Sequence, residues 1–223
     1  MVVSNENIDD VLKRIRAHNA QYAVPAVTLV ARNHHSAYHV LISTLISLRT
    51  KDEVTAKAAE RLFAAARTPE KILKLSEKKI VELIYPAGFY RTKAKTIKEV
   101  TRTILEKYGG RVPDDVEELT TMKGVGRKTA NLVLIEGYHK PAMCIDTHCH
   151  RIPNRWGWIS TKNPDETEMV LRGKLPKKHW MEFNQLLVTF GQNTCRPVGP
   201  HCWECPVTAY CDYYKTVYRK KTE

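Results

Sequence analysis

Apolar residues recur along this chain at the three- and four-residue intervals of helices buried on one side. One stripe follows a possible N-cap at Ser36, a second follows Asp52, and two more lie at 97–105 and 180–190. The alternating pattern of a half-buried strand is nearly absent. The sequence therefore predicts an all-α protein whose stripes face a core rather than a cofactor.

A glycine hairpin is the first candidate for chemistry, because residues 122–130 read M-K-G-V-G-R-K-T-A. Gly124 and Gly126 permit a tight turn and a close approach of another chain. Amide groups at the start of the following helix can bind an anion such as a DNA phosphate. Lys123 and Arg127 add positive charge at the same place, so the segment predicts DNA binding.

Lys128 lies in the first turn of the predicted helix, beside Arg127. The helix dipole and Arg127 both disfavour the charged ammonium. A neutral lysine amine is a nucleophile that can form a Schiff base. The alternative is a hairpin that only grips the DNA backbone, followed by the core-facing helical run N-L-V-L-I.

Asp146 follows Lys128 by 18 positions, within I-D-T-H-C-H-R. Its carboxylate can supply negative charge, and it can also cap the helix that T-H-C-H-R begins; the two roles are compatible. His148 and His150 are expected to be structural or phosphate-facing rather than metal ligands. Cys144 and Cys149 are expected to be buried free thiols.

Four further cysteines have the spacing C-x6-C-x2-C-x5-C, at Cys195, Cys202, Cys205 and Cys211. The polar, acidic start predicts no secretory signal, and no apolar run is long enough to span a membrane. Thiols inside a cell stay reduced, which favours a metal site over disulfides. Four thiolates can hold zinc or a [4Fe–4S] cluster, and the single short pair favours the cluster.

The charge balance points to nucleic acid as the partner. The 223 residues carry a formal net charge of +12 and are enough for one large domain or two small ones. Basic proteins favour phosphate polyanions, although a solvated lysine-rich surface is the alternative.

Taken together, these motifs resemble the endonuclease III family of helix-hairpin-helix DNA glycosylases with AP-lyase activity. The resemblance rests on G-V-G-R-K-T-A-N-L-V-L at 124–134, I-D-T-H at 145–148, R-x-x-N-R at 151–155 and the cysteine pattern. It implies that Lys128 is the nucleophile, that Asp146 is its partner, and that the four cysteines bind a [4Fe–4S] cluster.

The resemblance also implies two helical domains with the active-site cleft between them. A six-helix domain carrying the hairpin would span residues 30–140, and residues 1–29 with 141–223 would form the second domain. The implied reaction removes a base flipped out of damaged double-stranded DNA and then cleaves the strand by β-elimination. We expect a monomer, located in the cytoplasm with the nucleoid if the source is prokaryotic.

The chain departs from the family pattern at three positions. Lys123 replaces a proline that often precedes the hairpin. Arg49 aligns with the glutamine that fills the gap left by the flipped base, and Phe89 aligns with the wedge leucine. Alternatively, Arg49 forms a surface ion pair with Asp52 or Glu53, and Phe89 packs beside Tyr90.

Three functions are therefore open at this point. The favoured one is a bifunctional glycosylase and AP lyase for oxidised pyrimidines. A mismatch glycosylase that removes thymine or adenine is the second, although such relatives usually lack the nucleophilic lysine. The third is a cluster-bearing DNA-binding module, which would need neither Lys128 nor Asp146.

Overall fold

The computed structural model of the protein describes residues 2–222, with side chains up to residue 220. Within that part of the chain the regular elements are α-helices and short 3-10 or π-helical turns, and no strand is present. The all-α prediction is confirmed. The chain divides into two compact units, one formed by Pro25–Ala142 and the other by the segments up to Val24 and from Met143 onward. We call these the hairpin unit and the cysteine unit.

The hairpin unit contains the helices from α2 to α9. These are Ala26–His34 (α2), Ala37–Ser47 (α3), Asp52–Ala65 (α4), Pro69–Lys74 (α5), Glu77–Ile84 (α6), Tyr90–Tyr108 (α7), Val116–Thr120 (α8) and Arg127–Leu132 (α9). A π-helical turn, Val133–Gly137, continues α9. Helix α3 is apolar and almost wholly buried, and α2, α4, α7 and α9 pack around it.

Local sequence signals fix where these helices begin. The Ser36 hydroxyl accepts a hydrogen bond from the amide of His39 at 3.4 Å, so the predicted cap of α3 is confirmed. Thr68 and Ser76 cap α5 and α6 in the same way, and Pro69 stands at the first position of α5. These side chains satisfy amides that have no partner within their own helix, which sets the start of each helix to a single residue.

Within its described residues, the cysteine unit contains five α-helices. These are Ile8–Asn19 (α1), Thr147–Arg155 (α10), Pro164–Lys174 (α11), Trp180–Asn193 (α12) and Arg219–Thr222 (α13). Its core includes Leu12 of α1, Ile152 of α10 and Phe183 of α12, all at most 1% exposed. The chain leaves α12 directly into the segment that carries the four spaced cysteines.

Among the described residues, no helix is both long enough and apolar enough to cross a membrane.

Candidate active site and DNA-binding surface

The glycine hairpin connects α8 to α9 in the hairpin unit. Gly124 has a φ of +89°, and a Cβ atom there would lie 2.6 Å from Cγ2 of Thr96 on α7. Any larger residue would therefore meet both an unfavourable backbone conformation and a clash. Gly126 is the N-cap of α9 and has no side chain to cover the amides that follow it. The hairpin thus presents bare backbone at the start of α9.

Lys128 is the second residue of α9 and is half-buried. The residues after it, Thr129 to Ile135, are buried, which anchors the helix in the core as the apolar run predicts. Lys123 and Arg127 are exposed on the hairpin. A helix anchored in the core therefore carries Lys128, and two exposed cationic residues precede it on the hairpin.

Arg49 and Phe89 lie together on two adjacent loops of the hairpin unit. Both residues have left-handed backbone, with φ values of +51° and +57°. Such a conformation costs bulky residues free energy, and it is found most often where function requires it. Phe89 is 62% exposed, and the Cζ of Arg49 lies 5.6 Å from the centroid of its ring. The ring of Tyr90 pairs instead with that of Tyr85.

Asp146 is the N-cap of α10 in the cysteine unit and is 8% exposed. Its Oδ1 accepts hydrogen bonds from the amides of His148 at 2.9 Å and Cys149 at 2.8 Å. The other carboxylate oxygen takes no part in this cap. The cap predicted as one role of Asp146 is therefore present, and it fixes the carboxylate in place.

The neighbouring Cys149 is buried and lies close to this carboxylate. Burial, and then the charge of Asp146, raise the pKa of Cys149 well above its usual range. The amide of Asn184 points toward its sulfur at 3.6 Å. Cys149 is thus held as a neutral thiol.

Helix α10 is joined to α12 through Arg151, a residue to which the sequence pattern gave no role. Its Nη2 donates to the carbonyl of Cys195 at 2.7 Å and lies 3.0 Å from Nδ1 of His148. A Cβ atom at Gly191 would lie only 2.2 Å from Nδ1 of His148, so α12 needs glycine where the two helices meet. The helix capped by Asp146 and the first spaced cysteine therefore belong to one packed arrangement.

His150 has a structural contact of its own. Its Nδ1 lies 2.7 Å from Oγ1 of Thr167, which holds α10 beside α11.

Among the described residues, no group of three or more His, Cys, Asp or Glu side chains is arranged to hold a metal ion.

The four spaced cysteines nevertheless line one small cavity of the cysteine unit, together with Trp156, Phe190 and Arg155. Burial, together with the charge of the other cysteines of the set, raises the pKa of Cys202 to about 11 and that of Cys205 to about 12. Four thiolates this close together need positive charge to offset their repulsion. Cationic metal can supply that charge, so the donor set fits a thiolate-ligated metal centre.

Arg155 supplies charge beside the same cavity. Its Nη1 donates to Sγ of Cys195 at 3.4 Å and to the carbonyl of Arg196 at 2.6 Å. Its guanidinium also lies 4.7 Å from the ring centroid of Tyr213. The spacing of Arg151 and Arg155 by one helical turn was the available sequence signal for these two contacts.

The predicted site residues are thus distributed over both units. The hairpin unit carries Lys123, Gly124, Gly126, Arg127 and Lys128 on one hairpin, and it brings Arg49 and Phe89 into contact. The cysteine unit carries Asp146 and the four spaced cysteines.

Known proteins resemble this chain in sequence. A family model described as "HhH-GPD superfamily base excision DNA repair protein" matches residues 42–177. Endonuclease III of Thermotoga maritima is 48% identical over 186 residues, which cover 82% of this chain and 87% of that protein. Chloroplastic endonuclease III homolog 2 of Arabidopsis thaliana is 45% identical over 183 residues, covering 78% of this chain and 47% of its own. The chain thus spans about half the length of this plant relative.

A solved structure resembles the fold over nearly the whole chain. It is the structure of a trapped covalent intermediate between endonuclease III and DNA, in an estranged-adenine complex. Its TM-score is 0.85 at 28% identity, and the match covers 99% of this chain and 100% of that one.

Proposed function

Since the chain belongs to the HhH-GPD superfamily of base excision DNA repair proteins, and within it to the endonuclease III family, we propose that Lys128 and Asp146 carry its chemistry. The protein is a bifunctional DNA glycosylase and AP lyase, and its substrates are oxidised pyrimidines in double-stranded DNA. The observation that carries this proposal is a lysine at the start of the hairpin helix in a chain of this family.

The reaction begins with attack by the Lys128 amine on the sugar carbon that bears the damaged base. The base departs with the bonding electrons and takes up a proton. Loss of the amine proton and opening of the sugar ring leave a Schiff base between Lys128 and the sugar. Removal of a proton from the adjacent sugar carbon then expels the 3′ phosphate by β-elimination, and hydrolysis releases Lys128.

Asp146 supplies the negative charge that this sequence needs. Positive charge develops on the sugar as the base leaves, and a fixed carboxylate stabilises it without reorganisation. The cap on α10 holds Asp146 through Oδ1, which restricts the carboxylate to one position. The same group can accept the proton that Lys128 loses.

The hairpin holds the DNA backbone. The bare backbone at Gly124 and Gly126 lets a phosphate approach the amides at the start of α9. Lys123 and Arg127 are exposed at the same place and add charge without sequence preference. The formal net charge of +12 supports the same partner.

Arg49 and Phe89 stabilise the DNA after the base has left the stack. Extrusion costs unstacking and unpairing energy, on the order of a few kcal/mol. The exposed Phe89 ring can enter between base steps, and Arg49 can donate hydrogen bonds to the orphaned base.

Cys195, Cys202, Cys205 and Cys211 hold a [4Fe–4S] cluster. The cluster would organise residues 195–211, whose described structure consists of turns and one 3-10 helix. Arg155 offsets part of the negative charge of its thiolates. The protein acts as a monomer on one DNA duplex.

A substrate panel tests the proposal. Single-turnover base release and strand cleavage are measured separately on duplexes with an oxidised pyrimidine, a thymine mismatch, an adenine mismatch and no lesion. We expect both activities on the oxidised pyrimidine and neither on undamaged DNA. Base release from a mismatch without strand cleavage would instead identify a mismatch glycosylase, and binding without either reaction would identify a non-catalytic module.

A further inference from the structure

Lys93 is a buried lysine whose ammonium group forms hydrogen bonds mainly with backbone carbonyl groups. Lys93 lies on the first turn of α7 and is 7% exposed. Its Nζ donates to the carbonyl of Ile46 at 2.6 Å, to the carbonyl of Leu48, and to Oγ1 of Thr50 at 2.7 Å. These acceptors use all three donors of the ammonium group.

All three acceptors belong to the segment that carries Arg49. The carbonyl groups precede Arg49, and the Thr50 hydroxyl follows it, so Lys93 holds the loop on both sides of Arg49. The Thr50 hydroxyl in turn donates toward the carbonyl of Leu48 at 3.3 Å. This network fixes a backbone in which Arg49 adopts its left-handed conformation.

The same network reaches the loop that carries Phe89. Thr50 Oγ1 accepts a hydrogen bond from the amide of Gly88 at 3.0 Å. The amide of Lys93 donates to the carbonyl of Phe89 at 3.0 Å. A Cβ atom at Gly88 would lie 2.3 Å from the carbonyl oxygen of Arg49, so the two backbones touch and only glycine fits between them.

We propose that Lys93 and Thr50 are positioning residues that lock the Arg49 loop and the Phe89 loop into one rigid element, so that both side chains enter the DNA together. This inference rests on the proposed roles of Arg49 and Phe89. A preorganised pair avoids the entropy cost of ordering two loops during base extrusion. Burial lowers the pKa of Lys93 to about 8, which still leaves most of the side chain protonated at neutral pH.

The chain offers matched variants. Thr50→Val removes the hydroxyl but keeps the side-chain shape, whereas Thr50→Ser keeps the hydroxyl. Lys93→Met removes the ammonium group. Lys98→Met is its control, since Lys98 lies on the same helix and its Nζ donates to the carbonyl of Leu75 at 2.7 Å, away from both loops.

The experiment measures excision of an oxidised pyrimidine opposite each of the four bases, and strand cleavage at a preformed abasic site, at a temperature where every variant is folded. We expect Lys93→Met and Thr50→Val to lower excision from paired duplex by roughly tenfold or more, from lost hydrogen bonds to a charged group. Abasic-site cleavage should fall less, and the preference for the opposite base should change. Thr50→Ser and Lys98→Met should behave as wild type.

A double-mutant cycle separates positioning from general stability. If Lys93 acts through Arg49 and Phe89, adding Lys93→Met to the combined Arg49→Ala and Phe89→Ala variant should lower excision little further. Full additivity of the losses in excision would overturn the inference, and so would equal loss of both activities with unchanged base preference. The single variants Arg49→Ala and Phe89→Ala would still test the proposed function separately. If those two single variants behave as wild type, the proposed roles fail first and the inference falls with them.

Discussion

The guanidinium of Arg49 lies over the ring of Phe89, with 5.6 Å between Cζ and the ring centroid. The two residues are 40 positions apart in sequence, and each has a left-handed backbone at the tip of its own loop. A cation over an aromatic face is attracted by the ring, and the attraction is stronger where water is displaced. The two exposed side chains are therefore held next to each other before DNA binds, one of them apolar and the other a hydrogen-bond donor.

The first prediction concerns the apolar side chain of this pair, Phe89. Phe89→Ala should cut excision from paired duplex strongly, because the wedge offsets the cost of unstacking. Cleavage at a preformed abasic site needs less unstacking and should suffer less. Single-turnover rates on the two duplexes measure the difference. Leu29→Ala, which removes another exposed apolar side chain of the same unit, should leave both rates unchanged. Equal loss of both activities in Phe89→Ala would make it a packing residue.

The sequence predicted the fold well because local signals decide it. Ser36 caps α3 where predicted, the helix expected after Asp52 begins at Asp52, and the apolar run after Lys128 is buried. The π-helical turn Val133–Gly137 was not predictable, because its hydrogen bonding depends on how α9 packs in the unit rather than on residue type.

Only part of the candidate site could be predicted from the sequence. Lys93 lies among basic residues in Y-R-T-K-A-K, which suggests a solvated face. A signal was present nonetheless, since Lys93 occupies the buried stripe of α7 with Ile97, Val100 and Ile104. Its acceptors are two carbonyl groups and one hydroxyl, 43 to 47 residues away, and no sequence pattern marks such contacts.

The second prediction separates the two roles of Asp146. Asp146→Asn should slow base release severely while preserving stability, because an amide oxygen can still cap α10 but carries no charge. Asp146→Ala should lose the same activity and also about 1 kcal/mol of stability with the cap. Single-turnover excision and thermal unfolding measure the two effects. Near-normal excision by Asp146→Asn would reduce Asp146 to a structural cap.

The third prediction concerns the metal centre. The purified protein should be brown and contain about four iron atoms per chain, held by four thiolates. Cys202→Ser should lose most of the iron, whereas Cys144→Ala, which alters a buried cysteine outside the spaced set, should retain it. Elemental analysis of the three proteins decides the point. One zinc per chain without iron in the wild type would contradict the cluster.

The fourth prediction is a pH dependence of stability that arises from His39. Burial, and then the neighbouring His34, lower the pKa of His39 from 6.5 to about 4. Neither ring nitrogen has a hydrogen-bond partner within the described chain, and the ring packs on that of Phe63. As the pH falls, the unfolded chain binds this proton first. Titration of His39 therefore costs no stability above about pH 6.5. Below that pH it lowers the free energy of unfolding, by up to about 3 kcal/mol as the pH approaches 4.

A histidine replacement isolates this effect. His39→Phe should remove the part of the acid destabilisation that arises at this position, so its denaturation midpoint should vary less between pH 7 and pH 4.5 than that of the wild type. His35→Asn is the control, because it removes an exposed imidazole at a left-handed position that asparagine tolerates. Identical pH profiles for His39→Phe and the wild type would show that His39 does not titrate differently on folding.

Identification of the residue that bonds to DNA tests the central claim most directly. Borohydride reduction during reaction with an oxidised-pyrimidine duplex should trap the wild-type protein, and peptide mapping should place the adduct on Lys128. Lys123→Gln removes a lysine of the same hairpin and should still be trapped at saturating DNA, whereas Lys128→Gln should bind DNA without being trapped. Efficient trapping of Lys128→Gln, or an adduct mapped to another residue of the wild type, would contradict Lys128 as the nucleophile.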